Sequence, residues 1–364
     1  MTDTIATNTT TQPATGDTLL EIRNLDVHFR LKNGGLARVV DGSNLIVRPN
    51  EIVGIAGESG SGKTTLVEAI LGISRFSNRE VGGEVLYRAR NGKVLNLTAL
   101  GPRDMARIRL SEIGYIPQGS MNSLSPTMRI ADQIVDGMVA HGVSHREANR
   151  RVPDLMDKVG LDHHVGRLYP HELSGGMKQR VIIAIAISMN PSIVIADEPT
   201  TALDVNVQRR ILETLIRLRD ELGVSIIIIS HDLAVHAELV DRLAVMYAGQ
   251  IVETGGVRPM LKAPLHPYTK GLMDSIPTIT EKRERIDGIR GVTPSPDAWP
   301  KGCRFHNRCK YVMPTCKEVM PTLDPPETDS VTSLNGAVTS SDGRLVSCHL
   351  YDSEVMKLEG RAHE

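Results

Sequence analysis

A short apolar run, Glu51 to Ala56 (EIVGIA), breaks into GESGSGKTT at Gly57 to Thr65 and passes directly into a helical pattern, TLVEAILG. Strand, glycine-rich loop and helix in that order constrain the fold more than any other feature of the chain, because GxxxxGK[ST] in that setting is what a phosphate-binding loop requires. Glycines let successive main-chain N–H groups turn inward around phosphate without Cβ collisions. Lys63 supplies a point charge to the β- and γ-phosphates, and the Thr64 hydroxyl can ligate Mg²⁺. The helix that continues from Thr65 aims its positive end at the same place. Gly57, Glu58, Ser59, Gly60, Ser61, Gly62, Lys63, Thr64 and Thr65 are therefore the first candidate ATP contacts.

The rest of the chain supports an α/β fold with a largely parallel sheet. Leu19 to Val27 alternates as an edge strand should, Val39 to Val47 is a second strand with Asp41-Gly42 as a turn, and Ile113 to Gln118 is a third short strand. After the helical run that follows the loop, polar, glycine-containing sequence extends to about Asp104. Ser120 to Tyr169 reads as an inserted helical subdomain, with helical periods through Ile130 to Ala140 and Arg151 to Val159. A helix over Met177 to Met189 precedes two buried strand patterns, Ser192 to Ala196 and Val224 to Ile229, separated by the helix Val207 to Leu222. Alternating strands and helices specify a parallel sheet. After about Pro264 prolines thicken and all four cysteines appear, which marks a C-terminal extension, and Asp324 to Gly343 looks loop-like.

Composition removes several classes. The 42 Lys and Arg against 43 Asp and Glu leave a net charge of −1, and aromatics are 3% of residues, so neither the basic field nor the stacking platforms of a nucleic-acid protein are expected. The apolar runs Val181 to Ile187 and Val224 to Ser230 fall far short of a bilayer span. Residues 1–17 are Thr-rich, without a secretory h-region, and read as a disordered leader.

Further motifs carry chemistry. Ile193 to Glu198 (IVIADE) is a buried strand pattern ending in two carboxylates: Asp197 suits Mg²⁺, and Glu198 suits a general base that polarises the attacking water. LSGGM at Leu173 to Met177 opens a helix whose N-terminus, with Ser174, Gly175 and Gly176, can receive an anion, although Ser-Gly-Gly is also an ordinary helix start. Together with TALD (Thr201 to Asp204) and SHD (Ser230 to Asp232), these segments resemble the nucleotide-binding domain of ABC ATPases over about Leu19 to Gly255.

The resemblance implies a P-loop NTPase (RecA-like) core over residues 18–255, a helical subdomain at about 119–172 and an extension over 256–364. It implies that Phe29 stacks on adenine, with His28 as a fallback and a half-buried strand residue as the plain alternative. Gln118 resembles the Q-loop glutamine at the Mg²⁺ and the helical subdomain, and Glu198, His231 and Gln118 form the catalytic set. Ser174, Gly175, Gly176 and Asp204 would act in trans, on ATP held by a second ABC ATPase subunit. Met177 stands where Gln is common, which removes a Gln-dependent contact but leaves the backbone donors.

Within the family the chain resembles the ATP-binding subunits of oligopeptide/dipeptide importers, through LSGGMKQR, HPYTKGLM (His266 to Met273) and the cysteine tail. That implies two integral membrane permease subunits, an extracytoplasmic solute-binding protein, a heterodimeric ATPase pair and a cytoplasmic position on the inner face of the cell membrane. Oligosaccharide, opine and nickel importers use similar motors, and a non-transport ABC ATPase or a redox- or metal-sensing ATPase are alternatives. Cys303, Cys309, Cys316 and Cys348 could ligate Zn²⁺ or an iron–sulfur cluster, with His306 and His349 as substitutes in a zinc site, or stand as free or redox-active thiols; the spacing lacks the short zinc knuckle. The resemblance implies a [4Fe–4S] cluster.

Overall fold

A computed structural model describes residues 17–32, 34–73, 78–275, 288–327, 332–334, 336–337 and 343–359. The leader read over residues 1–17 lies outside them except for Asp17, as does much of the loop-like stretch between Asp324 and Gly343.

Six strands occupy the first third: β1 Leu20–Arg30, β2 Leu36–Val47, β3 Ile52–Ala56, β4 Arg79–Arg88, β5 Val94–Asn96 and β6 Ile113–Ile116. Four of them form an antiparallel sheet in the order β2-β1-β4-β5. β1 is thus an interior strand and not an edge. Its alternation reports one polar face, on which the buried Glu21 pairs with Arg23 and Arg23 with Glu84. Asp41-Gly42 is not a turn either. It lies inside β2, where the Gly42 N–H donates to Asp26 Oδ1 at 2.8 Å. The polar stretch before Asp104 holds β4, β5 and the start of helix α2 (Pro102–Ile108, after α1, Lys63–Ile70). Glu80 to Gly83 of β4 are exposed and only Val85 to Tyr87 are buried, which hides its strand periodicity.

Strands β7 (Ile193–Asp197), β8 (Ser225–Ile229), β9 (Arg242–Tyr247) and β10 (Gln250–Gly256) belong to the main sheet. β11 (Thr332–Ser333) and β12 (Gly336–Ala337) make a small separate ribbon, and β13 (Leu345–Val346) returns to the main sheet. The main order is β13-β10-β9-β3-β8-β7-β6. β9, β3, β8, β7 and β6 run parallel, and β10 and β13 are antiparallel additions. Every residue of β3, β7 and β8 is buried, as expected for parallel strands covered on both faces. Their carboxyl ends open on one side, the place where sheets of this type bind ligands.

Helices α3 (Ile130–Ala140) and α4 (His145–Val159) pack on α5 (Gly175–Ile187) to form the helical part, and α6 (Val205–Leu222) and α7 (Leu233–Leu239) flank the sheet. Ser144 caps α4 by accepting the Glu147 N–H, and Gly160 ends it in the left-handed region.

The C-terminal helices are α8 (Val257–Lys262), α9 (Pro267–Asp274), α10 (Pro314–Glu318) and α11 (Ser353–Leu358). This part is woven into the core. Glu253 of β10 is fully buried, accepts the N–H groups of Leu265 at 3.1 Å and His266 at 2.9 Å, and lies 3.9 Å from the buried Arg344 guanidinium. Burial pushes the Glu253 carboxyl up and the His266 imidazole down to about 3. Tyr247, Tyr268 and Phe305 meet edge to face and tilted, with ring centroids 4.5–5.5 Å apart, so the extension shares aromatic packing with β9. Among the described residues no helix is long and apolar enough to cross a membrane.

Candidate nucleotide site

The loop between β3 and α1 is built by close approach. Gly57 has φ 153°, and a Cβ there would sit 2.2 Å from the Met246 carbonyl oxygen, so only glycine fits. Lys63 is the first residue of α1, and its ammonium donates to Gly57 O at 2.8 Å, Glu58 O at 2.9 Å and Ser61 Oγ at 3.2 Å. Burial lowers the Lys63 pKa, while Glu198, Asp197 and Glu58 oppose that shift. Ser59 and Gly60 are exposed at the tip, Ser61 and Gly62 are buried, and Thr64 and Thr65 are half-buried on the first turn of α1.

Two carboxylates mark the end of β7, in contrasting surroundings. Asp197 is fully buried and neither of its oxygens has a hydrogen-bond partner. Burial dominates and, with the neighbouring Glu198, pushes its pKa up to about 6, although the nearby Thr64 hydroxyl and Lys63 favour its charged form. A buried carboxylate with both oxygens unpartnered beside a threonine hydroxyl fits a hard divalent cation such as Mg²⁺. Glu198 sits at φ 49°, an uncommon backbone for a non-glycine residue. Its carboxylate accepts from Gln118 Nε2 at 3.0 Å and Thr201 Oγ1 at 2.9 Å, and meets His231 Nδ1 at 3.0 Å. Burial alone would raise the Glu198 pKa, but the bonds from His231, Thr201 and Gln118 outweigh it and hold the group below its ordinary value. The structure thus brings Gln118, Glu198 and His231 together. Thr201, singled out in the sequence only as part of TALD, completes the set.

The exposed histidine is the one in the site: the His231 side chain is 65% accessible. His236, one turn into α7, is instead a packed residue whose Nε2 meets Ser230 O at 3.0 Å and whose pKa burial lowers to about 4.

Ser174 caps α5, its hydroxyl accepting the Met177 N–H at 3.3 Å, and Asp204 caps α6 through the Val207 N–H at 3.0 Å. The two helix starts touch, since a Cβ on Gly176 would lie 2.5 Å from Val207 Cγ1. The nearest neighbours of Gly175 and Gly176 are Met121, Leu203 and Val207 and not the phosphate loop. Ser174 and Asp204 are exposed, and next to Asp204 the Val205 side chain is 81% exposed. The buried Ser120 Oγ donates to Gln179 Oε1 of α5 at 3.0 Å, tying the segment after Gln118 to that helix. Phe29 is half-buried on the same face of β1 as Leu25 and Val27 and packs on the core of the antiparallel sheet.

Sequence reading missed one set of contacts. The Glu58 N–H donates to Tyr268 Oη at 2.8 Å, and its carboxylate receives Thr293 Oγ1 at 2.6 Å and both Arg308 Nη groups at 2.8 and 3.0 Å. Tyr268 lies within HPYTKGLM and Arg308 immediately before Cys309, yet no local pattern links either to the loop.

The sequence pattern of the family described as ABC transporter matches residues 40–201, and that of the oligopeptide/dipeptide transporter C-terminal region matches residues 252–316. A Brucella melitensis protein named as a putative peptide import ATP-binding protein is 43% identical over 308 residues, covering 84% of this chain and 91% of that protein. The oligopeptide transport ATP-binding protein AppD of Bacillus subtilis is 39% identical over 340 residues, covering 93% and 98%. A solved dimeric ATP-binding cassette in a post-hydrolysis state with ADP and Pi is 26% identical with a TM-score of 0.57, covering 66% of this chain and 99% of that one.

Asp197 gives a pH test. Because the folded chain keeps this carboxyl protonated to higher pH than the unfolded chain does, its charge costs stability as pH rises from about 4 through about 6. Asp197→Asn is therefore expected to raise the Tm of the nucleotide-free chain above about pH 7, to leave it unchanged below about pH 4, and to remove the extra stabilisation by MgATP over ATP. Calorimetry showing identical Tm values for both chains across that range would contradict the assignment.

Proposed function

The chain belongs to the ABC transporter family, and from that premise we propose that it is the ATP-hydrolysing subunit of an importer whose cargo is oligopeptides or dipeptides. The observation that carries the hydrolytic part is Glu198, ionised and held by His231, Thr201 and Gln118 beside the unpartnered Asp197. The cargo class is supported by the match of residues 252–316 to the oligopeptide/dipeptide C-terminal region and by the names of the two relatives.

In this reading the loop from Gly57 to Thr65, through amides other than the Tyr268-bound one of Glu58, and the Lys63 ammonium bind the triphosphate of ATP, and Thr64, Asp197 and Gln118 hold Mg²⁺. Bound Mg²⁺ would offset negative charge on the phosphate oxygens. Glu198 orients a water and accepts its proton, which requires the carboxylate to be ionised at neutral pH, as its three partners keep it. His231 contacts the γ-phosphate and positions that water, and Phe29 stacks on the adenine. Ser174, Gly175, Gly176 and Asp204 close over ATP in a second ATPase subunit; the exposed α5 start and Val205 offer such a surface. A paralogous subunit, giving a heterodimer, is favoured by the resemblance to peptide importers. Two permease subunits and a solute-binding protein complete the assembly, with this subunit on the inner face of the cell membrane. Domain limits of 18–255 and 256–364, with the helical subdomain at about 119–172, complete the reading.

The four cysteines are proposed to hold a [4Fe–4S] cluster. Each thiol of the set Cys303, Cys309 and Cys316 acts electrostatically on Cys348, and burial pushes Cys303 and Cys309 up to about 11, which supports their convergence in a dry site. Among the described residues no three of these sulfurs lie within 4.8 Å of one another. His306 Nδ1 and His349 Nε2 lie on the Cys303 and Val319 carbonyls, each at hydrogen-bond distance.

Glu198→Gln is expected to reduce ATP turnover by about 100-fold or more while retaining MgATP binding and MgATP-dependent subunit pairing; turnover near the parent rate would remove Glu198 from its role. Protein purified without oxygen should show a broad visible absorbance shoulder that Cys348→Ser abolishes. A colourless, zinc-loaded preparation would overturn the cluster.

A further inference from the structure

Of the two arginines between Cys303 and Cys309, Arg308 reaches back to the phosphate loop itself and Arg304 to the segments beside it. Arg308 forks onto both oxygens of Glu58, and its Nε donates to Arg290 O at 2.9 Å; its own side chain is 6% accessible. Arg304 binds Asp41 and the Ala248 carbonyl, next to Gly249, whose N–H donates to Ser61 O at 2.9 Å. Tyr268 holds the Glu58 N–H, and the Glu58 carbonyl holds the Lys63 ammonium. The second residue of the phosphate loop is therefore fixed through N–H, C=O and side chain at once, and two of those three holds come from the C-terminal extension.

We propose that the Cys303–Cys309 loop is a brace on the phosphate loop, with Arg308 as a positioning residue that sets nucleotide affinity through Glu58. The physical reason is twofold. A bidentate guanidinium–carboxylate pair fixes orientation as well as distance, so Arg308 holds the Glu58 carbonyl where it receives Lys63. Glu58 also places a half-buried negative charge in the loop that must accept a triphosphate. Arg308 neutralises that charge; without it the carboxylate would oppose the incoming phosphates. Arg308 touches neither the reacting atoms nor the Glu198 set, so the brace acts on binding and not on the hydrolytic step.

This inference rests on the nucleotide-binding reading, and the test separates the two. The full chain, with its partner subunits, is assayed for MgATP KM and kcat as the parent, Arg308→Gln, Arg308→Lys, Glu58→Gln and the double variant Glu58→Gln/Arg308→Gln. Arg308→Gln should raise KM by about tenfold with kcat within about threefold. Arg308→Lys, which keeps the charge but loses the fork, should fall between Arg308→Gln and the parent. Glu58→Gln should have the smaller effect, because it removes the charge that Arg308 offsets, and adding Arg308→Gln to it should change KM by less than about twofold, as coupled members of a mutant cycle do. An unchanged KM in Arg308→Gln, or an Arg308→Gln penalty undiminished in the Glu58→Gln background, overturns the brace. If Arg308→Gln does not fold, the Arg308→Lys and Glu58→Gln pair decides by the same comparison. A parent protein that binds no MgATP would instead overturn the nucleotide reading itself.

Discussion

Inward-facing amides are possible only if the carbonyls of the same loop have somewhere else to go, and this constraint governs the phosphate loop here. The carbonyls of Gly57 and Glu58 take the Lys63 ammonium, and the Ser61 carbonyl takes the Gly249 N–H. With those oxygens occupied, loop N–H groups can face a ligand, apart from that of Glu58, which Tyr268 holds, and that of Ser61, which donates to the Glu58 carbonyl. β3 brings the loop to the carboxyl edge of the sheet, Met246 of β9 and the following Gly249 pack against it, and α1 continues from Lys63. The contacts of Tyr268, Thr293 and Arg308 extend the same logic to Glu58, so segments 210 to 250 residues downstream share in shaping the loop.

A second consequence of the sheet edge is electrostatic. Asp197 and Glu198 are adjacent in sequence, yet one faces inward without partners and the other turns outward, through a left-handed backbone, onto three donors. Burial raises the first and hydrogen bonds lower the second. Neighbouring carboxylates separated in this way can take different tasks, one awaiting a cation and the other ready to receive a proton.

Much of this was legible from residues alone. The strand–loop–helix order, the buried β7 and β8 and the helices α3 and α6 follow directly from periodicity, because their apolar faces are continuous. Ile130–Ala140 is reproduced residue for residue. The misses have separate causes. β1 looked like an edge because alternation records one polar face, not an absent neighbour. β4 hides its periodicity because its first half is exposed, and β9 and β10, on either side of the Ala248-Gly249 turn, carry apolar runs without alternation. The ties of Arg308 and Tyr268 to Glu58 span 250 and 210 residues and join side chains that local patterns treat as unrelated.

The central claim is that loop amides of one subunit grip a triphosphate and the α5 start of a second subunit closes over it. Amide hydrogen exchange measures both ends directly, on the Glu198→Gln chain together with its partner ATPase subunit. Addition of MgATP should slow exchange at residues 57–65 and at residues 174–178 together, with the second region responding only when the partner is present. Slowed exchange at 174–178 in the isolated chain, or no change at 57–65, would contradict the account.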